Sequence, residues 1–387
     1  FGNEYEGKEL AVDPYAPDLE SWEPRCPWCH NTYAFDLRLQ RSQGARRIGN
    51  GIEQHFVLDT AEAELEARVT SAREGRLPLD ELVTVGISCE SCHLGGREHA
   101  ELEVEMPFGP VHPRLRAVDD AAWLNEGRDS AQLKNALCAQ CHSGPSQRYP
   151  HGGAHRNSSE AFDLAASACA PVVACTDCHD PHVRGTRTSE RKRRLSACAG
   201  CHPSLASSRS ALAHGRHKLE DATCLDCHMP RIVQGFSDVI RTHRIGRALE
   251  PSMVAAGQPN ACNLCHLDRS VAWAAQQVSV YWGRDVDVPE GGGDHAAGRQ
   301  WLASDDPLLM VTAAAAYARS SLGKGVASTL VDLLDQPIAY YRMRVLFALE
   351  EVLGRELSAE EFDPAANPAV RRDQQLRLRS VVSRPDR

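Results

Sequence analysis

Fourteen of the fifteen cysteines in this chain fall into one repeated shape: two cysteines three positions apart, with a histidine directly after the second. The copies are Cys26, Cys29 and His30; Cys89, Cys92 and His93; Cys138, Cys141 and His142; Cys175, Cys178 and His179; Cys198, Cys201 and His202; Cys224, Cys227 and His228; and Cys262, Cys265 and His266. Only Cys169 is left over. Three chemistries use such side chains. Zinc sites pair two C-x-x-C halves, or one half with a separate histidine pair, and do not require a histidine after every second cysteine; seven is also an odd number of halves. A redox dithiol would occur once, between a strand and a helix. The third chemistry requires the whole pentapeptide. Two thiols add across the two vinyl groups of one haem, and the adjacent histidine becomes the proximal ligand of the iron. The expected cofactor is therefore haem c, seven groups, each covalently held.

The sixth position on each iron decides between electron transfer and catalysis. Of 17 histidines, seven end the motifs and ten remain. Nine are taken as distal-ligand candidates: His55, His99, His112, His151, His155, His182, His214, His217 and His243. His295 is the tenth. His182 follows its motif too closely to reach over its own haem and should serve a neighbouring iron, and His243 is expected to do the same. Met229, beside a proximal histidine, cannot reach the distal face of that haem and reads as packing; Met106 and Met253 are further ligand options that no neighbouring motif supports.

Positioning seven large rings needs little regular structure. Aromatic residues make up only 6% of the chain, and porphyrin would supply the flat apolar surface they do not. The net charge of −9 argues against a nucleic-acid partner. One basic run, RGTRTSERKRR (Arg184 to Arg194), reads as a solvated loop or as a docking patch for an acidic redox protein. No apolar run reaches the roughly 18 residues that cross a bilayer. The sequence opens on Phe1, and c-type haem is installed outside the cytoplasm. A removed leader and a periplasmic or extracellular location are the expectation.

Along the chain, residues 1–290 hold every motif, 291–297 form a glycine-rich linker, and 298–387 are alanine-rich with apolar residues at helical spacing. The last part is similar to HEAT-type paired helices, and a plain helical extension packed on the haem region is the other reading. Asp59 to Gly75 also carries a helical pattern. The tail from Ser358 reads as a frayed end or a further helix.

The phrases CESCHLGGREH, CTDCHDPH and HGRHKLEDATCLDCHMP, followed by RTHRI and NACNLCH, resemble the large multihaem cytochrome c group. That group includes cytochrome c nitrite reductase, hydroxylamine oxidoreductase and related tetrahaem cytochromes. The resemblance implies a mainly α fold with extensive loops, organised around stacked haems. Nitrite reductases commonly replace one proximal histidine by lysine, whereas all seven motifs here end in histidine. No motif marks the cross-linking tyrosine of hydroxylamine oxidoreductase. The resemblance thus speaks to cofactor and architecture more than to catalysis, and no catalytic residue is assigned. The expected function is electron transfer along closely spaced bis-histidine haems, as a shuttle, a complex subunit or a polymeric conduit. Its partners would be redox proteins or further copies of the chain. The alternative is an oxidoreductase acting on a small nitrogen or sulfur compound at one five-coordinate haem.

Overall fold

The structure is a computed structural model that describes residues 27–33, 56–58, 67, 82–93, 96–102, 104, 106, 115–117, 131–144, 146–183, 185–236, 238–290 and 295–382. Cys26, His55, His112, the linker glycines and all of the expected 59–75 helix except Ala67 lie outside the described residues.

Helix and loop dominate. The helices are α1 (Pro27–His30), α2 (Glu90–His93), α3 (Arg97–Leu102), α4 (Ala131–Ala139), α5 (Glu160–Ala165), α6 (Cys175–Cys178), α7 (Arg187–Cys201), α8 (Ser208–Gly215), α9 (Cys224–His228), α10 (Pro251–Ala255) and α11 (Val271–Trp282). A second set follows: α12 (Ala297–Leu302), α13 (Pro307–Ala318), α14 (Ala327–Asp332), α15 (Ala339–Leu353) and α16 (Pro368–Val382). Strands form three antiparallel ribbons, β1 (Thr32–Tyr33) with β3 (Leu82–Thr84), β2 (Phe56–Leu58) with β4 (Leu115–Ala117), and β5 (Arg231–Gln234) with β6 (Val239–Arg241). The β5–β6 turn needs Gly235, because a Cβ there would stand 2.7 Å from the Asp238 carbonyl oxygen.

The two parts of the chain are built differently. The C-terminal helices share one large apolar core, with Leu330, Leu334, Val345 and Leu349 fully buried. Asp306 caps α13 by accepting a hydrogen bond from Leu308 N, and Pro307 fills the first helical position. The tail after Ser358 is a helix, α16, packed on α14. Leu330→Ala should cost about 2–5 kcal/mol, read from the denaturant midpoint; a loss below about 1 kcal/mol would show that the core closes over the gap.

The motif-bearing part has only small apolar clusters, such as Tyr149, Ile232, Val233 and Met253. Met253 is thus a core side chain. Helices α7 and α8 bury no residue at all. The run Arg184–Arg194 differs from the expected loop: from Arg187 it is the first half of α7. Arg193 pairs with Asp180 and Arg194 with Glu190, and Arg191 donates to the Leu219 carbonyl.

The expected boundary at 291–297 is not a break in packing. Leu267, the residue after the last motif, belongs to the C-terminal core. Ala297 N donates to Arg269 O and Gly298 N to Leu267 O. A Cβ on Gly298 would meet Leu267 at 2.7 Å, so only glycine lets α12 lie this close. Farther along, buried Gln234 of β5 donates to Thr312 of α13.

Candidate haem centres

Each attachment motif with a described backbone turns once in a helical sense. The histidine N–H donates to the carbonyl of the first cysteine at His93, His142, His179, His202 and His266, at 2.9–3.0 Å, and the sixth motif is the helix α9. Positions i, i+3 and i+4 of such a turn share one face. The two thiols and the imidazole therefore point to the same side, as one haem requires. The seventh motif is further held by Asn263, whose Oδ1 accepts from Asn260 Nδ2 and whose Nδ2 donates to the carbonyls of His266, Arg269 and Ser270. No disulfide joins the described cysteines, and Cys169 is half-buried.

Four motif histidines each face a second imidazole. His93 and His182 have ring centres 6.1 Å apart with planes 9° apart; His179 and His243, 6.0 Å and 27°; His228 and His214, 6.1 Å and 11°; His266 and His217, 6.0 Å and 46°. Ring–ring contact does not account for one repeated distance at four different angles. A metal–imidazole bond of about 2 Å, with the bonding nitrogen about 1.1 Å from its ring centre, places two rings on opposite sides of one ion about 6 Å apart. The residues present therefore fit a haem iron between each pair.

Local structure explains how the partner rings get there. Asp180 accepts from the backbone N–H groups of His182 and Val183, a turn that carries His182 away from its own motif. His214 and His217 flank Arg216, which adopts the left-handed conformation at the end of α8 (φ 59), so two neighbouring imidazoles reach two different motifs. Trp282 donates to His214 O and anchors this turn from α11. His243 follows β6, and buried Asp163 accepts from His243 N, Thr242 Oγ1 and Ala154 N.

Burial pushes His179, His243, His214 and His266 below the ordinary imidazole value, which keeps these rings in the neutral form that binds metal. The ring tautomer is set from behind. A carbonyl only accepts, so Nδ1 of His228, 2.7 Å from Gly246 O, must donate and leave Nε2 for iron. His217 Nδ1 does the same toward Gly215 O. His142 differs: its Nδ1 lies 2.9 Å from Glu160 Oε2, and that bond raises His142. Although burial alone pushes Glu160 up, the same bond holds its carboxyl below the usual range.

The attachment sites adjoin one another. The Cys138 and Cys175 side chains lie beside each other, and α6 packs between α4 and α7. Cys198 lies within electrostatic reach of Cys224 and Cys178, and Cys227 of Cys262 and Cys265. Cys141 Sγ is 3.9 Å from Cys29 O.

Other candidates lie elsewhere. His151 and His155 gather round Tyr149, 5.8 and 4.2 Å from its ring, and no ring contact joins either to a described motif histidine. Burial pushes His151 down to about 4. His99 donates through Nδ1 to Val104 O and is exposed. No described imidazole faces His142 or His202 in the manner of the four pairs. Glu160, Asp163 and the two buried asparagines were not singled out from sequence.

Comparison with known proteins gives two likenesses. Residues 210–286 match the cytochrome c552 family, a stretch that holds the His228–His214 and His266–His217 pairs. The multiheme cytochrome MtrA of Shewanella baltica (strain OS185) is 24% identical over 156 residues, which is 40% of this chain and 38% of that protein. No solved structure gives a significant match. These likenesses support a multihaem c-type cytochrome with covalently bound haem c, and a role in electron transfer. No helix among the described residues is long and apolar enough to cross a membrane.

Proposed function

We propose that the chain is a heptahaem electron carrier working in the periplasm or outside the cell, handing electrons along a row of bis-histidine haems to and from redox protein partners. The observation that carries this reading is the set of four imidazole pairs at one iron-spanning separation. Haem supplies reversible one-electron exchange at its iron. The chain's own work is to hold each ring pair at fixed separation, keep the rings neutral and set successive attachment turns side by side. The assignments are His93 with His182, His179 with His243, His228 with His214 and His266 with His217, each motif being anchored through its two cysteines. Residues 1–290 would carry the haems, with the segment from 298, read as HEAT-like, as a scaffold or docking element. A stretch similar to a multiheme cytochrome fits this role.

Intact mass of the secreted holoprotein should show seven covalent haems, and its ferric electron paramagnetic resonance spectrum should be dominated by low-spin iron. Five haems or fewer would reject the reading of all seven motifs as attachment sites. A full complement with a strong high-spin component that binds added nitrite or hydroxylamine would favour the oxidoreductase reading instead.

A further inference from the structure

We propose that Glu160 is a positioning residue that makes the His142 imidazole a stronger electron donor than the His228 imidazole, giving the haem of the third motif a lower potential than it would have without that carboxylate. The inference rests on reading both motifs as haem sites. Its basis is the contrast behind the two proximal rings. His228 Nδ1 faces a neutral carbonyl, Gly246 O, at 2.7 Å. His142 Nδ1 faces a carboxylate, Glu160 Oε2, at 2.9 Å. A carboxylate draws the shared proton further from the ring. The ring then approaches imidazolate, its other nitrogen becomes more basic, and the ferric state gains more than the ferrous.

The carboxylate is built into place. Glu160 Oε1 accepts from Ser158 N at 3.0 Å. Ser158 is one of two described non-glycine residues with positive φ (63), a conformation that persists where surrounding bonds over-determine it. Here they do. Gly144 N donates to Ser158 O, Ser159 Oγ donates to Gly144 O, and Ala161 N donates to His142 O. Residues 158–161 are thus stitched to residues 142–144, and both oxygens of Glu160 are committed. A surface carboxylate that met His142 by chance would need none of this.

The test is Glu160→Gln in the holoprotein, followed by potentiometric titration of the haem absorbance. One haem component should move upward by about tenfold in its reduction equilibrium, about 59 mV for one electron, with the others unmoved. Glu160→Asp, which keeps the charge, should restore most of the shift. Intact mass on the same samples counts haems separately: fewer than seven in the unsubstituted protein would count against the haem reading, not against Glu160. A fully loaded Glu160→Gln protein whose titration overlays the original would overturn the proposal. Should that variant shed the third haem, the unsubstituted protein decides. In its fully reduced, carbon monoxide-saturated state, in which each of these two irons is six-coordinate and diamagnetic, with 15N-labelled histidine, the Nδ1 proton of His142 should resonate well downfield of that of His228. Coincident positions would overturn the proposal equally.

Discussion

Replacing His243 with alanine should convert one iron in the protein from low-spin to high-spin and create a binding site for one equivalent of carbon monoxide. The His243 ring stands 6.0 Å from that of His179, across the space an iron would fill. Removing one imidazole leaves that iron with a single nitrogen ligand from the chain, and loss of the donor disfavours the ferric state, so the haem's potential should rise. The backbone around it should hold, because Asp163 grips the main-chain N–H of residue 243 rather than its ring. His182→Ala should do the same to the haem of the second motif, since His182 faces His93 at 6.1 Å. The two effects should add, because the pairs use different motifs. Two low-spin, carbon monoxide-inert variants would mean that these rings are not ligands, whatever the haem count.

Deleting residues 296–387 should cost the last haem and lower the melting temperature, not merely remove a docking element. Sequence pattern alone suggests separability, since the segment lacks cysteine and follows a glycine-rich stretch. The packing argues the other way. Leu267, one residue past His266, is fully buried in the core made by α12 and α13, and re-exposing it alone costs about 1.5–3 kcal/mol. The truncation also strips the cover from Gln234 and leaves its amide without Thr312. Intact mass and a thermal melt on the truncated chain decide the matter: seven haems and an unchanged melt would restore the view of an independent tail.

What the sequence made readable was the local chemistry. Cysteine and histidine at i, i+3 and i+4 specify an attachment turn within five residues, and the apolar spacing from residue 298 marked helices that the structure has. The distance between partner rings was not readable. His93 and His182 are brought together by tertiary packing, and a distal imidazole looks like any other histidine in a linear string. His151 and His214 were both distal-ligand candidates, yet one lies beside Tyr149 and the other opposite a motif. Glu160 was invisible for a similar reason. Its role depends on a bond to a ring in another element, whereas its place as the first residue of α5 marks only a helix start. The basic run misled because its charges imply solvent but not loop; an exposed helix satisfies them as well.

The order of the ring pairs along the chain bears on how the molecule is assembled. Chains emerge N-terminus first. His182 and His243 come after the motifs they face, whereas His214 and His217 precede theirs. With haem iron between these pairs, the second and fourth motifs would lack their second imidazole until later chain arrives, whereas the sixth and seventh would meet theirs as soon as they are made. Both waiting imidazoles sit on one turn of the chain, so that turn acts as a mould for the C-terminal half. An insertion between His214 and His217 would leave every motif intact and still misregister two centres at once.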